Sequence, residues 1–175
     1  MVMSGSNARG GGGSKRRTAR PPTPVKITRK SLGKGGAQWV IPSNYQAVRT
    51  VLHELVILVT AAHYNKDAVF AIKLACEESI INAVKHGNKL DAKKHVTIEV
   101  WIKPDEMEVY IEDEGPGFSR EAVPDPTLEE NLEKCSGRGI LLIESYMDGC
   151  SWDHGGRRLR MVKQNRTDTL PRRSS

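Results

Sequence analysis

Between residues 43 and 111 the hydrophobic period changes once, from helical to alternating, and that order fixes most of the architecture. Val48, Val51, Leu52, Leu55 and Val59 recur on one helical face, so a helix runs from near Ser43 to about His63. Ser43 with Gln46 three residues on has the pattern of a capping box. Asn65 is suited to cap a second helix, in which Val69, Ile72, Cys76, Ile80 and Ala83 form the apolar stripe and which Gly87 should end. The period then shortens to two. Val96, Ile98, Val100 and Ile102, and after a turn at Pro104–Asp105 also Met107, Val109 and Ile111, read as an antiparallel hairpin with one buried face.

The flanks are less patterned. Trp39, Val40 and Ile41 suggest a short strand stopped by Pro42. Residues 119–136 are polar and carry Pro124 and Pro126; a connection this long reads as a functional loop or lid. Residues 140–147 are predicted as a short helix. Residues 150–153 and 158–162 are predicted as a last hairpin turning at Gly155–Gly156. Residues 1–37 read as a disordered arm, with the run Gly10 to Gly13 and the cluster Pro21, Pro22, Pro24. The division expected is therefore an arm at 1–37, a domain at 38–164 and a flexible tail at 165–175, all within a length of 175 residues that suits one domain.

Charge follows the same division. The arm holds nine Lys or Arg and no acidic residue, whereas residues 38–164 hold 15 basic and 20 acidic residues. The formal charge of +6 thus belongs to the ends, and nucleic-acid binding is expected, if anywhere, only through the arm. The longest apolar stretch, Leu55 to Ala62, is too short to span a membrane. Three separated cysteines without a CxxC pair argue against a zinc site or a disulfide framework. With no apolar signal-peptide core at the N-terminus, the expected location is cytoplasmic. Lys15 and Lys34 lie in Gly-rich stretches, but neither sits in the spacing of a P-loop.

Three segments carry chemistry. Glu78 and Asn82 are four residues apart and share one face of the second helix, which Lys85 and His86 continue. An amide oxygen such as that of Asn82 suits Mg²⁺, and a carboxylate one turn earlier can accept a proton from an attacking hydroxyl or water. Glu77 lacks that spacing. Residues 113–118, Asp-Glu-Gly-Pro-Gly-Phe, follow directly on a strand. Asp113 can accept from an exocyclic amine such as that of adenine, and Gly115 and Gly117 allow close approach by a ligand. Residues 136–140, Ser-Gly-Arg-Gly-Ile, open a helix where freed backbone N–H groups suit phosphate oxygens, with Arg138 adding charge. Taken singly these read equally well as a solvated helix face, a Gly-Pro turn and a hinge.

Together and in this order they resemble the GHKL (histidine-kinase-like) ATPase superfamily. Residues 78–88 resemble its N-box, Asp113 to Gly117 its D-x-G-x-G box, and Gly137-Arg138-Gly139 its second glycine box. The bacterial anti-sigma factor serine kinases are the most similar branch, through Ile41-Pro42-Ser43, the compact lid and the run from Gly139 to Asp148. The resemblance spans residues 38–164 and implies a Bergerat-type α/β two-layer sandwich, helices on one face of a mixed, largely antiparallel sheet. It implies ATP and Mg²⁺ as cofactors, with Asn82 on the metal, Glu78 as base, Asp113 on the adenine amine, and Gly115, Gly117, Gly137 and Gly139 lining the nucleotide. Lys85 matches a phosphate-contacting lysine of the histidine-kinase relatives.

The partners implied are an anti-anti-sigma (STAS-type) protein as substrate, a sigma factor, and a second copy in a homodimer. A nucleotide-dependent binding module without turnover is the alternative, and a detached histidine-kinase catalytic domain is a third reading. One departure is Gly155-Gly156-Arg157-Arg158, where the family often has Gly-Thr.

Overall fold

The computed structural model describes residues 26–118 and 138–166. Six strands form one sheet in the order β1-β2-β3-β4-β6-β5. They are β1 (Thr28–Gly33), β2 (Gly36–Pro42), β3 (His95–Ile102), β4 (Glu106–Asp113), β5 (Gly149–Asp153) and β6 (Arg158–Gln164). All five pairings are antiparallel, where the resemblance implied a mixed sheet. The described residues also form helices α1 (Tyr45–Ala61), α2 (Lys66–Asn82) and α3 (Arg138–Tyr146).

Alternation along the strands sorts their side chains. Val96, Ile98 and Val100 of β3, Met107, Val109 and Ile111 of β4, and Leu159 and Met161 of β6 are buried in one core with Val48, Val51, Leu52, Leu55 and Val59 of α1 and Ile72, Cys76 and Ile80 of α2. Each fully buried aliphatic side chain of this kind contributes about 1.5–3 kcal/mol. The other sheet face is polar. There Arg158 reaches Glu99 at 3.0 Å and Glu112 at 3.3 Å and lies 4.8 Å from the Tyr110 ring centre. Burial pushes the Cys76 thiol up to about 12, as expected of an inert core thiol. Among the described residues no helix is long and apolar enough to cross a membrane.

Three local expectations are corrected. The N-cap of α1 is Asn44, whose Oδ1 accepts from Ala47 N at 2.9 Å. Ser43 is buried instead, donating to Lys94 O at 2.8 Å. The ordered domain also begins before residue 38, because β1 pairs with β2 from Thr28 onward. This strand is exposed along most of its length, so no buried face marks it in sequence. It is held by backbone pairing, by a turn through Gly33, Lys34 and Gly35 at positive φ, and by Arg29, which packs over Trp39 and reaches Glu54 at 3.5 Å. At the other end, Asn165 is not free tail. It donates from N to Asp105 O at 2.7 Å and accepts from Asn65 N at 3.1 Å, tying the start of α2 to the β3–β4 turn.

Candidate functional site

The site is assembled where α2 ends. Glu78 and Asn82 are both half-buried, one turn apart. After Asn82 the helix widens into a π-helical turn, Ala83–Gly87, closed by Asn88 N on Ala83 O at 2.8 Å. Such turns interrupt the α-helical register and are common at functional sites. The expectation that Lys85 and His86 continue the Glu78–Asn82 face therefore lacks its geometric basis; both are exposed on the widened turn.

Gly87 is there for closeness. A Cβ on it would overlap the Asp113 carboxylate, and a Cβ on Gly115 would overlap the Gly87 carbonyl. The end of the helix and the loop after β4 thus touch through backbone, which brings Asp113 and Gly115 against the residues following Asn82. Asp113 Oδ1 accepts from Gly115 N at 2.7 Å. Burial pushes the Asp113 carboxyl above the ordinary aspartate value, against the Gly115 hydrogen bond and the nearby charges of Arg157 and Lys94.

On the opposite side, a Cβ on Gly139 would overlap Glu78 Oε1, so the first turn of α3 lies directly on that carboxylate. Arg138, at the start of α3, is exposed. Gly137 and the lid expected at 119–136 lie outside the described residues. Gly117 is at φ 78, and its missing side chain admits the Gly155 carbonyl, to which Phe118 N donates at 3.1 Å.

The last residue of the 78–88 run organises the site, although its sequence position gives it no role. Asn88 is fully buried. Its Nδ2 donates to Ser43 Oγ at 2.9 Å and His95 O at 2.8 Å, and its Oδ1 accepts from Glu114 N at 2.8 Å. It joins the approach to α1, the start of β3 and the Asp113 loop. Lys89 and Leu90 after it take left-handed backbone angles, φ 54 and 57, which side chains of this size rarely adopt. Replacing Asn88 with Ala strands several buried polar groups, so a loss of about 2–4 kcal/mol is expected, read as a lowered urea midpoint.

For a metal, the donor set is one neutral amide, Asn82, beside a carboxylate. Among the described residues no cluster of three or more His, Cys, Asp or Glu could hold an ion. This fits Mg²⁺, which draws its remaining ligands from phosphate and water, better than a cation needing a protein cage.

Comparisons with known proteins bear on the family and the fold. The profile of the family described as "Histidine kinase-like ATPase domain" matches residues 41–163. The serine-protein kinase RsbW of Listeria monocytogenes is 30% identical over 97 residues, covering 52% of this chain and 62% of that protein. The anti-sigma F factor of Clostridium perfringens is 39% identical over 80 residues, covering 44% and 56%. The chain thus spans less than two thirds of these curated relatives. A solved structure of the RsbU and RsbW domains of a Mycobacterium tuberculosis protein superposes with a TM-score of 0.50 at 18% identity, over 84% of this chain and 33% of that one. That likeness supports the α/β fold.

Proposed function

Because the chain belongs to the histidine kinase-like ATPase domain family, we propose that it binds Mg²⁺-ATP among α2, the Asp113 loop and the start of α3, and passes the γ-phosphate to a serine of an anti-anti-sigma protein. A sigma factor is its second, competing partner, which it sequesters, and it works in the cytoplasm. The observation that carries this reading is the contact of Gly139 with Glu78, which brings a helix N-terminus with glycine-freed N–H groups to the one carboxylate spaced for a base.

Asp113 would accept the adenine amine, and Asn82 would hold the metal. Mg²⁺, when bound, neutralises phosphate charge. Glu78 takes the proton of the serine hydroxyl as that oxygen bonds to the γ-phosphorus. The bond from that phosphorus to the β–γ bridging oxygen breaks, and ADP leaves with the bridge oxygen. Little covalent work falls to the protein; its contribution is placement and charge. Gly115, Gly117 and Gly139, which would line the nucleotide, let the Gly87 carbonyl, the Gly155 carbonyl and the Glu78 carboxylate approach closely.

The test is incubation with γ-labelled ATP, Mg²⁺ and an anti-anti-sigma protein. Label should reach a single serine of that partner. Tight binding of nucleotide and partner without label on serine would overturn the kinase part and leave a nucleotide-dependent binding module.

A further inference from the structure

The β5–β6 turn is built against the Asp113 loop, and no role is yet assigned to it. His154, Gly155 and Gly156 all take left-handed backbone angles, φ 52, 66 and 85. His154 is the costly member, because it has a side chain. It is held by its Nδ1, 2.7 Å from Glu112 Oε1, and its carbonyl accepts from Arg157 Nε at 3.1 Å. A Cβ on Gly156 would overlap the Phe118 backbone. The two loops therefore interlock where neither tolerates a side chain.

Contacts with the Asp113 loop place Arg157. Arg158 and Arg160 point to the polar sheet face, pairing with Glu99, Glu112 and Glu108, while Leu159 and Met161 point to the core. Arg157 stands just before β6, exposed, with helical backbone angles, φ −82 and ψ −26, so contacts rather than strand alternation place it. Its cross-strand neighbour is Asp113, the next position after Glu112 and Arg158, and Asp113 N donates to Arg157 O at 3.2 Å. Its stem packs on Gly117, with Cγ 3.2 Å from where a Cβ there would lie. Its Nε donates to His154 O, and its charge lies near enough to act on the Asp113 carboxyl.

We infer that Arg157 is a base-contacting residue: its guanidinium plane packs on the purine ring whose amine Asp113 accepts. This rests on the nucleotide reading above. A planar cation over an aromatic ring adds affinity that a point charge on a flexible stem does not.

The test is calorimetric titration of the intact chain with ADP and Mg²⁺. Arg157→Ala and Arg157→Lys should each weaken ADP by about 3- to 30-fold. Arg158→Ala, on the opposite face, should leave affinity unchanged, and the urea midpoint of the nucleotide-free Arg157 variants should stay at the wild-type value. Wild-type affinity in Arg157→Ala, or recovery by Arg157→Lys, would overturn the inference. So would a midpoint loss large enough to account for the weaker binding. Asp113→Asn is titrated alongside. If it weakens ADP while Arg157→Ala does not, this inference alone fails; if it leaves ADP affinity unchanged, the adenine reading fails with it.

Discussion

Replacing Asp113 with Asn will weaken ATP binding by about 30- to 100-fold, from the loss of about 2–3 kcal/mol in a hydrogen bond to a charged acceptor. The substitution keeps the shape of the side chain. It presents an amide that can oppose the adenine amine with its own NH₂, and it must still satisfy Gly115 N, which Asp113 Oδ1 accepts at 2.7 Å. Little change in the fold is expected, since the touching atoms around Gly87 remain.

The same carboxylate makes binding pH-dependent. Burial raises its folded-state pKa above the unfolded value. Between those two values the folded chain holds a proton that the unfolded chain has lost, so raising the pH through that interval costs the folded state stability. In the proposed site the adenine amine needs the ionised form. On acidification, ATP affinity should therefore begin to fall at a higher pH than for an ordinary aspartate, and Asp113→Asn should remove that step.

Replacing Glu78 with Gln will lower phosphate transfer to the partner serine by about 10²- to 10⁴-fold, the range for a general base. ATP affinity should change little, because Gln fills the same volume beneath Gly139 and the adenine end of the site is untouched. A single-turnover assay with labelled ATP separates the two quantities. Undiminished transfer would show that Glu78 is not the base, whatever the nucleotide affinity.

How much of this was legible in sequence depended on whether burial left a period. The α2 stripe from Ile72 to Ile80 and the β3–β4 alternation are buried on one side only, so they print a clear pattern, and the helix and hairpin were recovered with it. Strand β1 buries almost nothing and owes its place to backbone pairing, so it read as part of an arm. Ser43 and Asn44 are both good caps by type; which one acts was decided by Ser43 being drawn into the Asn88 network. The π-helical turn after Asn82 leaves no compositional trace.

The site divides in the same way. Glu78 with Asn82, and Asp113 with Gly115, are short-range spacings that a sequence shows directly. That Gly87 exists to let Asp113 approach, or that Arg157 lies across from Asp113, depends on strands and loops far apart in the chain. Arg157 had one visible signal, the departure from Gly-Thr in the last turn, and only its contacts with Gly117 and Asp113 in the folded chain set it beside the Asp113 loop.

The proposed site for Mg²⁺-ATP is the junction of α2, the Asp113 loop and α3. Calorimetric titration of the unmodified chain with ATP, with and without Mg²⁺, tests it most directly. One site per chain, weakened when Mg²⁺ is withheld and weakened about 30- to 100-fold in Asp113→Asn, is the predicted result. Absence of saturable binding with Mg²⁺ present, or binding indifferent to Asp113, would contradict it.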